Sequence, residues 1–364
     1  MSDSALFDVV NRIGIITLNR PQVLNALSHD MVRLITNQLE AWRSDDSVAA
    51  VFMTAAGEKA FCAGGDIRSM YDSYKDGTRT YSDFFIDEYL LDYALWRYPK
   101  PVVVLMDGIT MGGGMGLAQA ASLRIATSKT RMAMPETGIG LIPDVGGSFF
   151  LSRMQPELAL YLGLTGQTIY AADARYCGLA DIYIEGDAVP KILPALQGID
   201  WTQGAAPALE RIRSVLDPLT SQPAEPPLAT VAGALLQHFS KPGVQAIMAS
   251  LEKAAPEGPH AQWASDTLAL MKQRSPLSMG LVFRQLEEGR RLDLADCFRQ
   301  EYNLVIGCIE DGDFIEGVRA LIVDKDKQPK WNPAGIADVS DARIASFFKG
   351  GLGDAGHPLA GLGT

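Results

Sequence analysis

Glu136 and Asp144, in the stretch MPETGIGLIPDVGG, are two carboxylates close enough in sequence to act on one substrate. A carboxyl that is partly buried has a raised pKa and suits general acid or base work. It can also attack a carbonyl carbon directly and form a mixed anhydride. Sequence leaves both routes open. Each residue also has a plainer reading. Glu136 can be a surface-loop glutamate. Asp144 follows Pro143 and precedes the helix-like VGGSFFLSRM, where aspartate is a good N-cap.

Two glycine-rich stretches lie upstream. GITMGGGMGLAQ holds Gly112, Gly113 and Gly114, and FCAGGDI holds Gly64 and Gly65. Glycine inside a helix costs roughly 0.5–1 kcal/mol relative to alanine, so bare backbone needs a reason. One reason is close packing of a helix on a sheet. Another is a backbone N–H aimed at a carbonyl oxygen that becomes an oxyanion. A dinucleotide loop fails on spacing, because Leu117 stands where the third Gly or Ala belongs, and no Walker lysine follows. A third carboxylate, Glu88, shares a predicted helix face with Phe84, Leu91 and Leu95. A glutamate on an apolar face is costly unless paired or functional; the alternative is an edge residue reaching solvent.

Other chemistries find little support. The four histidines and four cysteines form no metal-ligand spacing, and there is no GxSxG. Hence no metal is expected. A net charge of −11 argues against a nucleic-acid partner or an anionic membrane surface. An anionic small ligand is still compatible, since local cations can bind it. Arg20, Lys59 and Arg68 lie near the right loops, yet read equally well as surface charges. No apolar run reaches membrane-spanning length, the start MSDSALFDVV lacks signal-peptide features, and the cysteines are scattered. A cytoplasmic protein is therefore expected.

Elements that would position these residues follow from periodicity. LFDVV and IGIITL read as a hairpin around Asn11-Arg12, and Ser28 as the cap of a helix through Trp42. VAAVFMTAA and KPVVVLMDG read as buried strands, GEKAFCAGGDIRSM as a loop, and Ser82 to Arg97 as a helix. LRIATSKTRMAMPE reads as two short strands. Strands alternating with helices predict an α/β domain over residues 1–203. Residues 204–349 read as mostly helical, and 350–364 as a flexible Gly-rich tail.

With LNRPQVLNALS, FCAGGDI, GITMGGGMGL and MPETGIGLIPDVGGSFFLSR in this order and spacing, the chain resembles the crotonase (enoyl-CoA hydratase/isomerase) superfamily. The resemblance implies a spiral of ββα units, a helical C-terminal region and an acyl-CoA thioester as ligand. It implies backbone N–H groups of Gly65 and Gly113 as the oxyanion hole. Hydratases of the superfamily use two glutamates; here the first position is Gly116 and the second is Glu136. PDVGG replaces the hydratase-type PGAGG and brings in Asp144. This pattern resembles the 3-hydroxyisobutyryl-CoA hydrolase branch, as do SPLSMGLVFRQLEEG, EYNLVIGCI and DFIEGVRALIVDKDKQPKWNP further on. The branch implies Glu136 and Asp144 as catalytic residues and Glu88, Gly113, Glu136 and Asp144 as substrate-binding. It implies no cofactor, since CoA enters as part of the substrate. Trimers or hexamers in the family imply a homo-oligomer, although the long C-terminal region could cover that interface.

Overall fold

The computed structural model describes residues 3–202, 207–254, 258–353 and 355–363. The expected division at residue 203 lies outside the described residues. Two compact units emerge, each drawn from separate stretches of chain. The first comprises Met1–Gly65, Leu91–Met132 and Ile169–Pro227; the second comprises Asp66–Leu90, Ala133–Thr168 and Leu228–Thr364.

The first unit is built on two sheets. Strands β1 (Ala5–Val10) and β2 (Ile13–Leu18) form the expected hairpin. Its turn residues Asn11 and Arg12 both have positive φ, as a two-residue turn matching strand twist requires. Ser28 accepts from the Met31 N–H at 3.2 Å and starts α1 (His29–Arg43). From β3 to β8, residues 50–133, successive strands alternate between the two sheets. β3 (Ala50–Ala55), β5 (Val102–Met106), β7 (Leu123–Thr127) and β10 (Ile182–Ile184) extend the larger sheet in parallel, and β11 (Thr220–Ser221) closes its edge. β4 (Ala60–Cys62), β6 (Ile109–Met111), β8 (Arg131–Ala133) and β9 (Ile169–Tyr170) form the smaller one. Strand pairs followed by a helix recur along the chain, the ββα order that the resemblance implies.

Alternate residues of the large sheet explain the burial on one side. Ile13, Ile15, Phe52, Val103, Leu105, Leu123 and Ile125 pack with Ile192, Leu196, Ile212 and Leu216. Their strand neighbours Ile16, Val51, Met53, Val104 and Ala126 are buried too. A sheet covered on both faces reads as continuous apolar runs, which is how VVVLM and AVFM look in the sequence.

The second unit is mostly helical. It contains α2 (Ile67–Lys75), the first turns of α3 (Thr80–Trp96), α5 (Gly147–Phe150) and α6 (Pro156–Thr165). Two long helices, Pro276–Gly289 and Leu294–Glu310, are capped by Ser275 and Asp293. Gly163 of α6 lets Leu286 and Val282 approach to 3.1 Å of where its Cβ would sit.

Two expectations are corrected here. The stretch GEKAFCAGGDIRSM is not simply a loop, since it holds β4 and the start of α2. β4 has three residues, too few for a period, and α2 buries only Met70 and Ser73. The tail expected to be flexible is seated over part of its length. Leu359 and Leu362 are buried, and the Arg299 guanidinium donates to the carbonyls of Leu359, Ala360 and Leu362.

Candidate active site

In the first unit the two glycine loops lie side by side. A Cβ at Gly64 would sit 3.4 Å from the Met111 carbonyl oxygen and 3.8 Å from the Gly113 nitrogen. Gly64 has φ +110 and Gly112 φ +48, conformations that glycine adopts without strain. Gly112 is the N-cap of α4 (Gly113–Gln119), so the Gly113 N–H belongs to the helix's orphan first turn. Gly114 has a different task. A Cβ there would overlap the Cys62 carbonyl, so this glycine lets α4 press onto β4. Close packing therefore explains Gly114. Among the described residues no acceptor takes the N–H of Gly65 or of Gly113.

The loop that carries Gly65 is stapled by a residue that sequence reasoning overlooked. Asn25 is buried, with its Nδ2 donating at 2.9 Å to the carbonyls of Ala56 and Ala60. Its Oδ1 accepts from the Arg20 N–H at 2.8 Å. Leu27 donates to the Gly64 carbonyl at 2.8 Å and bridges to Gly65. The conspicuous motif LNRPQVLNALS is thus a brace for the glycine loop. Arg20 donates to the Ala26 carbonyl at 2.6 Å, and Arg68 forms an exposed pair with Asp72; both are accounted for locally.

Glu136, Asp144, Glu88 and Glu301 are buried carboxyls of the second unit. Glu136 opens a short 3-10 turn, Glu136–Ile139, after Pro135. Its surroundings fix it from several sides. Gly166 packs on Pro135, Gly138 on the Arg274 guanidinium, and Gly140 on the Asp313 backbone, each too close for a Cβ. Glu136 is 5% exposed, and its Oε2 finds no hydrogen-bond partner among the described residues. Burial pushes its carboxyl well above the ordinary range, and the negative charge of Asp144 adds to this.

Asp144 is buried and accepts from the Tyr89 hydroxyl at 2.7 Å through Oδ2. Burial pushes it up to about 6, against the Tyr89 bond, which favours the charged form. Tyr89 is itself fully buried, in ring contact with Phe85 and Phe298. Burial and the surrounding acids hold its phenol well above the usual range, so it stays a neutral donor. Glu88, its neighbour on α3, is 2% exposed. The alternative of an edge residue reaching solvent is therefore wrong for Glu88, which sits inside with Phe84.

The N-cap reading of Asp144 also fails. The cap of α5 is Gly146, without a side-chain bond. Glu301 does that work instead: Oε2 accepts from the Gly146 N–H at 2.8 Å and Oε1 from the Ser148 N–H at 2.7 Å. Glu301 is fully buried, and burial pushes it up to about 8 against the pull of those two donors. Sequence reasoning missed Tyr89 and Glu301. The signal for Glu301 was available, because it lies among Phe298, Leu304 and Val305 on the apolar face of its helix.

The sequence profile of the enoyl-CoA hydratase/isomerase family matches residues 13–348. The chain belongs to the enoyl-CoA hydratase/isomerase family. Among its relatives in that family, the 3-hydroxyisobutyryl-CoA hydrolase, mitochondrial, of Danio rerio is 41% identical over 348 residues, covering 94% of this chain and 88% of the relative. The protein of the same name from Homo sapiens is 36% identical over 356 residues, covering 96% and 89%. Among solved structures, a carnitinyl-CoA dehydratase from Mycobacterium thermoresistibile matches with a TM-score of 0.87 at 36% identity, over 96% of this chain and 97% of that one. An enoyl-CoA hydratase from Rhodobacter sphaeroides matches at 0.85 and 33%, over 95% and 97%. The α/β crotonase architecture is thereby shown. Its members carry the names of different reactions, so the choice of reaction rests on the site. No helix among the described residues is long and apolar enough to cross a membrane.

Proposed function

We propose that this member of the enoyl-CoA hydratase/isomerase family is an acyl-CoA thioester hydrolase. Its substrate is a short β-hydroxyacyl-CoA, 3-hydroxyisobutyryl-CoA in the first place, and its setting is valine breakdown in the cytoplasm. The relatives' names support the substrate, and the word "mitochondrial" in those names is theirs. The observation that carries the reading is the Glu136 carboxyl, buried with one oxygen unpartnered beside an Asp144 that Tyr89 holds. Gly116 supports it as well, since the position of a hydratase's first glutamate holds no carboxylate here.

In this reading the Gly65 and Gly113 N–H groups stabilise the charge that develops on the thioester oxygen. One such donor is worth about 10²–10³ in rate. Glu136 acts on the carbonyl carbon, and its raised pKa makes it a stronger base and nucleophile once ionised. As nucleophile, its Oε2 bonds to the carbon and the C–S bond breaks. CoA leaves as the thiolate, and water then opens the anhydride and restores the carboxylate. As base, it takes a proton from water that attacks the carbon directly. Glu88 and Asp144 bind the substrate hydroxyl. Glu136→Gln should lower thiol release by about 10²–10⁴ with the fold intact. Where water opens the anhydride at the Glu136 carboxyl carbon, a single turnover in ¹⁸O water separates the routes: the label goes to Glu136 and the first acid released carries none, whereas the base route labels the acid.

A second reading is hydration or isomerisation of an enoyl-CoA on the same fold; isomerisation needs only one well-placed base, and the names of the two solved neighbours favour hydration. Hydration must deprotonate water and protonate carbon, work that two carboxylates share in the hydratases. Conversion of crotonyl-CoA without thiol release would select it. Binding without catalysis is the third reading, and turnover abolished by Glu136→Gln would dismiss it.

A further inference from the structure

The turn after Asp144 is built against its own preferences. Val145 is a buried β-branched residue at φ +52, and Gly146 follows at φ +87. A β-branched side chain at positive φ is strained and persists only where its surroundings hold it. The turn also leaves the N–H groups of Gly146 and Ser148 in the interior, where an unmet donor is costly. Glu301 meets both, one with each oxygen. Around the same turn, Gln285 Nε2 donates to the Pro143 carbonyl at 2.6 Å and to Ser148 Oγ at 2.8 Å. Gly289 allows its helix to lie on the Ser148 carbonyl.

A short carboxylate beside such donors is itself a cap former, and Asp144 stands two residues before the first of them. Its Oδ2 nevertheless binds Tyr89. Phe298, one turn before Glu301 on the same helix, touches the Tyr89 ring, with centroids 5.6 Å apart. One helix thus both backs the tyrosine that holds Asp144 and occupies the donors that would draw Asp144 away.

We infer that Glu301 is the positioning residue for Asp144: by capping Gly146 and Ser148 through both oxygens, it keeps the Asp144 carboxylate turned to Tyr89 and available to substrate. The inference rests on the catalytic role proposed above for Asp144. It makes Glu301 act through Asp144 and not on the substrate.

The test is a double-mutant cycle of Glu301→Gln and Asp144→Asn, in the full chain with 3-hydroxyisobutyryl-CoA. Rates of thiol release are taken per mole of folded enzyme, from near-UV circular dichroism. Glutamine keeps the shape but offers one acceptor where two donors point, so Asp144 is recruited to the second. Glu301→Gln alone should lower kcat about tenfold or more and leave KM within about twofold. In the Asp144→Asn background the same change should cost less than about twofold, as expected for residues acting as a unit. Should Glu301→Gln fail to fold, Glu301→Asp replaces it in the cycle, its shorter arm reaching one donor. An equal factor in both backgrounds overturns the inference and leaves the role of Asp144 standing. Wild-type kcat for Asp144→Asn alone overturns that role, and the inference with it.

Discussion

At the scale of single residues, the site is held at a cost in stability. Asp144, Glu136 and Glu301 are all buried acids with raised pKa values, and burial is the first cause in each case. For Asp144 the shift runs from 3.8 to about 6. Between those values the folded chain keeps a proton that the unfolded chain releases. Its contribution is therefore fully present below the unfolded pKa and is lost as pH rises through the folded one, amounting to about 3 kcal/mol at most. Asparagine keeps a hydrogen-bond acceptor for Tyr89 and removes this loss. Asp144→Asn should thus melt above the wild type, with a gap that widens between about pH 4 and pH 6 and levels off above. Thermal melts across that range check it, and a gap independent of pH would contradict the assignment. Activity should move the other way, since the variant lacks the carboxylate that binds substrate. Stability given up at a functional residue is a common exchange.

Elements decide whether these residues arrive in place. The glycines divide by function here. Gly114 is bare because α4 meets the Cys62 carbonyl of β4, whereas a Cβ at Gly233, in the helix Ala232–Phe239, would meet nothing within 4 Å. Gly114→Ala should push α4 off β4, carry Gly113 with it, and lower thiol release by about 10²-fold, as misplacement of about 1 Å can do. Gly233→Ala should raise stability by about 0.5–1 kcal/mol and leave turnover unchanged. Equal effects from the two, read by melting and thiol release, would refute the packing argument. Much at this scale was legible beforehand. The hairpin at Asn11-Arg12, the Ser28 cap and the buried strands followed from period and turn chemistry. The expected helix from Ser82 to Arg97 is α3, shifted by a residue or two at its ends. What was not legible was short or irregular, namely β4 and α2. The bracing role of Asn25 was also hidden, because its partners are backbone carbonyls at Ala56 and Ala60 that no side-chain pattern marks.

At the scale of the whole molecule, the order and spacing of four motifs carried the family, and the profile match over residues 13–348 shows it. The candidate site was partly legible. Glu136 and Asp144 stand together in one unit with their pKa values displaced, as proximity in sequence suggested. Tyr89 and Glu301 come from distant stretches, so only the folded chain joins them to Asp144. The reaction is the least legible layer, because one fold hosts several chemistries and relatives of this chain bear the names of more than one. The most direct measurement follows free thiol from 3-hydroxyisobutyryl-CoA with the wild type and Glu136→Gln, beside crotonyl-CoA hydration by the same preparations. Fast thiol release that Glu136→Gln abolishes, with crotonyl-CoA left unhydrated, is the predicted result. Hydration of crotonyl-CoA without thiol release would contradict the hydrolase reading and assign Glu136 to the chemistry of a hydratase.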